Sequence, residues 1–186
     1  MNTKKKLAIF DLDGTLFDTS LVNYHAYREA LVPYGVELDE AYFTTYCNGR
    51  HYTEFLPEIM KTTAYLKDVH VAKKDAYARN LDKARANTFL LDMIRGIRES
   101  YHIAIVTTAS RQNTMDILSH FDCVDLFELI ITQENITRVK PDPEGFLIAM
   151  ENFQTEPAST VIFEDSQVGI TAARATGAAV MIVDRF

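Results

Sequence analysis

Four short stretches carry the residues that could do chemistry. Leu7-Ala8-Ile9-Phe10 runs into Asp11-Leu12-Asp13-Gly14, and Ile103-Ala104-Ile105-Val106 runs into Thr107-Thr108. Lys140 stands just before Pro141, and Thr160-Val161-Ile162-Phe163 runs into Glu164-Asp165. Two carboxylates one residue apart, Asp11 and Asp13, repel each other and raise a pKa unless a cation lies beside them. Glu164 and Asp165 add to that excess, and Lys140 alone does not balance four acids. An all-oxygen site of this kind suits a hard divalent ion, so Mg²⁺ is the expected cofactor. A threonine hydroxyl can donate to a phosphate oxygen without adding charge. Lys140, with its backbone expected to be extended before Pro141, offers a fixed ammonium where two anions would otherwise repel.

For these residues to meet, the apolar runs must be neighbouring strands. Four consecutive apolar residues ending at a turn signal read as a buried parallel strand. Open α/β sheets keep their ligands at the carboxyl edge, which is where Asp11, Thr107 and Glu164 would emerge. The pattern from residue 87 onward alternates helix and strand, with further strands at Leu129-Ile130-Ile131 and Ala179-Val180-Met181-Ile182-Val183. Between them lie a helix capped by Ser110 that turns Met115 and Leu118 inward, and one opened by Asp142-Pro143 with Phe146, Met150 and Phe153 on one face. A last helix, with Val168, Ala172 and Ala175 inward, ends at Gly177. The expected fold is therefore α/β: a doubly wound, parallel, five-stranded, Rossmann-like sheet with right-handed crossovers.

Residues 17–86 differ in character. They show helix-period apolar residues without a convincing strand, broken at Pro33-Tyr34-Gly35, Asn48-Gly49 and Pro57, and they hold eight of the nine tyrosines. Their charge is nearly balanced, with 10 acids against 9 bases, whereas the remainder carries the acidic excess. Such a shift marks an inserted all-helical unit, giving a core of 1–16 with 87–186 and an insertion of 17–86.

Asp11-Leu12-Asp13-Gly14-Thr15 resembles the first motif of the haloacid dehalogenase-like hydrolase superfamily. Thr107, Val139-Lys140-Pro141-Asp142-Pro143, and Phe163-Glu164-Asp165-Ser166 with Gly169, Ala172-Ala173-Arg174 and Gly177 resemble its remaining motifs. The insertion resembles the helical cap of the subclass related to β-phosphoglucomutase and phosphoglycolate phosphatase. The resemblance implies that Asp11 is a nucleophile and Asp13 a general acid and then base. It implies phosphate binding by Thr107, with Thr108 beside it, and by Lys140. Mg²⁺ would be held by Asp11, by the backbone carbonyl of Asp13 and by Asp165, with Glu164 as a ligand or as the holder of a metal-bound water. A specificity residue belongs in a cap loop, where Arg50 of Asn48-Gly49-Arg50-His51 matches. The implied activity is Mg²⁺-dependent hydrolysis of a small phosphorylated metabolite through an aspartyl-phosphate; a β-phosphoglucomutase-like mutase and a catalytically silent phosphate-binding module are the alternatives. Asp13 disfavours dehalogenase chemistry, and Lys61, Lys67, Lys73 and Lys74 offer no recognisable Schiff-base context. Many members continue beyond a fifth strand with another helix and strand, so the sheet edge near Phe186 is expected to be bare or covered by a partner.

A net charge of -7 and a pI near 5.2 argue against a nucleic-acid binder. The run Lys4-Lys5-Lys6 precedes only four apolar residues, too few for a signal peptide, and no stretch is long enough to span a membrane. Cys47 and Cys123 lie far apart with no ligand spacing, which fits free thiols in a reducing, cytoplasmic setting. The expected assembly is a monomer or a weak homo-oligomer.

Overall fold

The structure, a computed structural model, describes residues 4–184. It divides into two compact units, with boundaries between Asp18 and Thr19 and between Ala84 and Arg85. The larger unit contains a parallel sheet of β1 (Lys6–Phe10), β4 (Tyr101–Val106), β5 (Leu129–Ile131), β6 (Thr160–Glu164) and β7 (Ala179–Ile182). The spatial order is β5-β4-β1-β6-β7, which puts β1 at the centre and reverses the direction of winding beside it. In open sheets that reversal leaves a crevice at the carboxyl ends of the strands.

Register places the chemistry at one level. Phe10 pairs with Ile105 of β4 and Phe163 of β6, so Asp11, Thr107 and Glu164 all leave the sheet within two residues of one row. The central strands β1, β4 and β6 carry apolar runs, at residues 7–10, 103–106 and 161–163, because both faces there are covered. Leu7, Ile9, Val106, Ile131 and Ile162 pack with Phe146 and Met150 of α7 (Glu144–Phe153) and Ala172 and Ala173 of α8 (Gln167–Ala175). Phe10 and Phe163 stack with centroids 4.6 Å apart. The remaining helices of this unit are α5 (Thr88–Ile97) and α6 (Arg111–His120). At the sheet's edge, Met181 and Ile182 of β7 are more than half exposed.

Several local expectations change. The inner face of α8 consists of Gly169, Ile170, Ala172 and Ala173, while Val168 and Ala175 face solvent. Ser166 caps Gly169 and starts the helix in a phase that turns the small residues to the sheet. In α6, Ser110 caps Asn113 and Leu118 is buried as expected, but it is joined by Asn113, Thr114 and Ile117, and Met115 is only half-buried. Pro143, not Asp142, is the N-cap residue of α7, although the Asp142 carboxylate accepts from Glu144 N at 3.0 Å. Asp18 and Phe17 form β2 (Phe17–Asp18), paired antiparallel with β3 (Arg85–Ala86), inside the span expected to be purely helical. Two-residue strands are too short to show alternation.

The smaller unit is helical: α1 (Ser20–Leu31), α2 (Glu40–Tyr42), a π-helical turn at Phe43–Cys47, α3 (Tyr52–Met60) and α4 (Leu66–Arg79). The turns at Gly35 and Gly49 are present and left-handed. Pro57 does not interrupt the chain and lies inside α3, where burial of Phe55 and Leu56 outweighs its poor helix propensity. Tyr24, Tyr27, Leu31, Phe43 and Val69 complete this small core. Lys73 is buried there with its ammonium 5.4 Å from the Tyr27 ring centroid and 4.8 Å from that of Tyr77, a cation on two aromatic faces. No helix among the described residues is long and apolar enough to cross a membrane.

Asn87 joins the sheet's first turn to α5. Its side chain accepts from Leu90 N at 3.2 Å and donates to Thr15 O at 3.2 Å, and its own N–H donates to Leu16 O at 2.8 Å. Replacing it with alanine removes the cap and leaves the turn carbonyl unpaired. Asn87→Ala should lower the unfolding free energy in urea by about 1–2 kcal/mol while leaving the protein folded. An unchanged denaturation curve would show that the link bears no load.

Candidate active site

The site is built around the side chain of Lys140. Its ammonium donates to Asp11 Oδ1 at 2.5 Å, to Glu164 Oε1 at 2.6 Å and to Val106 O at 3.1 Å. Those three acceptors stand at the carboxyl ends of β1, β6 and β4. The lysine side chain is 6% exposed, and its nitrogen lies 5.1 Å from the centroid of the Phe146 ring beneath it. Burial draws the ammonium's pKa down, but the charges of Asp11 and Glu164 more than reverse that and leave it above its ordinary value.

The loop that carries Lys140 is fastened to the first turn of α7. Glu144 accepts from Thr137 N at 3.1 Å and from Arg138 N at 2.6 Å, and Asp142 N donates to Val139 O at 3.0 Å. The Lys140–Pro141 peptide bond is cis, a feature the sequence does not announce.

Asp11 is buried, and its backbone N–H donates to Phe163 O at 3.0 Å. Desolvation raises its carboxyl well above the usual range; the Lys140 charge opposes this, and the Glu164 charge adds to it. Asp165 accepts from the buried Thr15 hydroxyl at 3.0 Å. Burial, reinforced by the Glu164 charge, pushes the Asp165 carboxyl up to about 6. Gly14 permits this approach: its φ is +89°, and a Cβ there would overlap the Asp165 carboxylate. Glu164 is fully buried, with Oε1 on Lys140 and Oε2 accepting from Ser166 N at 2.9 Å and Ser166 Oγ at 3.0 Å.

One oxygen from each of Asp11, Glu164 and Asp165 lies within 4.8 Å of the others. Three acids share one lysine, all donors are oxygens, and two of the carboxyls are raised toward protonation by being crowded and dry. A hard divalent cation would relieve that excess, so the residues present fit such an ion. Asp13, expected in the same set, lies outside this three-residue group; it is half-buried in the turn where Gly14 N donates to Phe17 O at 2.7 Å.

Thr107 is buried at the end of β4, and its hydroxyl oxygen accepts from Ala109 N at 3.0 Å. Its hydroxyl proton can then be directed to another acceptor. Thr108 is exposed. Arg50 lies in the helical unit, and its guanidinium is engaged there: Nη2 and Nη1 donate to the two oxygens of Glu58 at 2.8 and 3.2 Å, and Nη1 also to Tyr46 O at 2.8 Å. Arg50 Nε also lies 3.5 Å from Glu54 Oε2; Arg50 stands before α3, so helical spacing does not announce its pairing with Glu58. Thr15 and Ser166, which orient the acids, stand within the motif stretches, but nothing in the sequence gives them that role.

Residues 8–183 match the family described as haloacid dehalogenase-like hydrolase. The chain is 30% identical over 178 residues to a validoxylamine A 7'-phosphate phosphatase of Streptomyces hygroscopicus subsp. limoneus, covering 92% of this chain and 82% of the relative. It is 28% identical to a fructose-1-phosphate phosphatase of Escherichia coli, covering 91% of each. The solved structure of CbbY from Rhodobacter sphaeroides in complex with phosphate superposes with a TM-score of 0.85 at 22% identity, over 97% of this chain and 87% of that one.

Glu164 depends on the absence of a side chain at position 169, where a Cβ would overlap its carboxylate. Gly169→Ala should drive Glu164 off Lys140 and leave a buried charge uncompensated, lowering stability by about 3 kcal/mol. Denaturant titration measures this directly, and a variant as stable as the wild type would contradict the packing described.

Proposed function

The chain belongs to the haloacid dehalogenase-like hydrolases, in the helical-cap subfamily related to β-phosphoglucomutase, phosphoglycolate phosphatase and CbbY, and on that premise we propose that Asp11 is the nucleophile of a Mg²⁺-dependent phosphomonoesterase. The protein is a phosphatase, of the kind that acts on phosphorylated sugars or related metabolites. The observation that carries the finer reading is the buried Asp11 carboxylate, held by Lys140 at 2.5 Å inside a cluster of acids.

A carboxylate oxygen of Asp11 attacks phosphorus, forming an acyl-phosphate bond as the bond to the ester oxygen breaks. Asp13 gives its proton to that leaving oxygen, then takes one from a water that attacks the aspartyl-phosphate and releases inorganic phosphate. Thr107, with Thr108 beside it, donates to a phosphoryl oxygen. Lys140 lowers the repulsion between Asp11 and the incoming dianion. Asp11, Asp13 and Asp165 would hold Mg²⁺, with Glu164 completing the negative field; when bound, the ion neutralises phosphoryl charge. The substrate is a small phosphorylated metabolite, and we assign its selection to the cap turn with Arg50 as the candidate. That residue would act by exchanging Glu58 for an anionic group or by holding the turn in shape.

The test uses a panel of phosphorylated metabolites, following free phosphate and positional isomers together. Phosphate release that stops with chelator and returns with Mg²⁺, better than with Ca²⁺, is expected; isomer without phosphate would favour a mutase. Asp11→Asn should reduce turnover by several orders of magnitude. Asp13→Asn should harm an alkyl phosphate more than an activated aryl phosphate, whose leaving group needs no proton. Equal loss on both substrates would remove Asp13 from the acid role.

A further inference from the structure

The loop between β4 and α6 carries Thr107 and Thr108, and it is tied to the segment that follows β5. Thr107 N donates to Ile131 O at 3.0 Å, and Gln133 N donates to Ala109 O at 3.1 Å. The third tie uses a side chain: Arg111 N, the first N–H of α6, donates to Glu134 Oε2 at 3.0 Å. The hydroxyl of Thr132, a fully buried residue, lies 2.8 Å from the same oxygen and 3.0 Å from Asn135 Oδ1, with one proton to give to either. Thr132 N in turn donates to Asn135 Oδ1 at 2.9 Å, which closes the receiving turn.

The first N–H groups of a helix lack partners within it. Ser110 takes the Asn113 N–H at 3.3 Å, so local capping leaves Arg111 N to be met from elsewhere. A carboxylate from another strand's loop, anchored by a buried hydroxyl, meets it. Glu134 stays ionised in this place: burial pushes its carboxyl up, but hydrogen bonds from Thr132, its own N–H and Arg111 N outweigh that and leave it below the usual value. An ionised acceptor makes the stronger tie and complements the positive end of α6.

We propose that Glu134 is a positioning residue, which fixes the β4–α6 loop through Arg111 N and Thr132 and so sets how tightly the Thr107 hydroxyl holds a phosphoryl group. This rests on the assignment of Thr107 to phosphate binding. Thr107 N and the Thr107 hydroxyl hold the strand end; at the helix end Glu134 adds the one tie to the segment after β5 that uses a side chain, and without it the loop between them gains freedom.

The test compares Glu134→Ala and Glu134→Gln in the full chain, using inorganic phosphate as competitive inhibitor. Glu134→Ala should raise the inhibition constant for phosphate and KM by about five- to tenfold, with kcat changed far less. Amide exchange at Arg111 should accelerate. In Glu134→Gln the side-chain oxygen still accepts from both donors, so all three values should return to within about twofold of wild type. A folded Glu134→Ala protein with the wild-type constant for phosphate overturns the proposal, even if its melting temperature falls, because that is what a purely structural role predicts. Were the wild type itself to hydrolyse no phosphomonoester and bind no phosphate, the functional assignment would fail instead, while faster exchange at Arg111 would still support the tie itself.

Discussion

Three acceptors converge on one buried ammonium, and the rest of the larger unit is arranged so that they can. Asp11, Glu164 and the carbonyl of Val106 belong to three adjacent strands, and Lys140 bonds all of them. Removing an ion from water costs several kcal/mol, a cost that is offset only when its partners are close and well placed. The strand order meets that condition. With β1 between β4 and β6, in register at Phe10, Ile105 and Phe163, the acceptors end side by side. A slip of one residue in either pairing would turn an acid into the core and a core residue out.

The cluster is not neutral. Lys140 brings one positive charge to three acids, bonding two of them; burial first, and the neighbouring Glu164 charge after it, raise the carboxyls of Asp11 and Asp165. The fold sustains this by tying the loops that carry the charged groups to the first turns of helices. Glu144 binds two backbone N–H groups of the lysine loop, Ser166 binds Glu164 and caps α8, and Glu134 binds the start of α6. Each tie meets helix or loop donors that would otherwise lack partners, so the same bonds that shape the site also complete the secondary structure.

Much of this was legible in the sequence where the signal is local and strong. Five apolar runs mark the five strands, and the central ones need such runs because both of their faces are covered. The acids were legible because carboxylates following buried strands require a partner. Phase was harder to read: Val168 and Ala175 look as suitable as Gly169 and Ala173 until Ser166 sets where α8 begins. Pro57 reads as a break, but in a nine-residue helix anchored by Phe55 and Leu56 tertiary burial prevails. Arg50 reads as a cation awaiting an anion, although Glu58, eight residues on in α3, already holds it. Glu134 and Thr15 act across the fold, on partners 23 and 150 residues away, a distance at which no periodicity carries information.

Rapid-quench mass spectrometry shows whether a phosphoryl group passes through Asp11. The protein, mixed with a hydrolysed phosphomonoester and Mg²⁺ and stopped in acid within a single turnover, is digested and its peptides weighed. One added phosphoryl group is expected on the peptide bearing Asp11, labile in alkali and absent from Asp11→Asn. A phosphoryl group on a different residue, or single-turnover phosphate release with no adduct at any quench time, would contradict it.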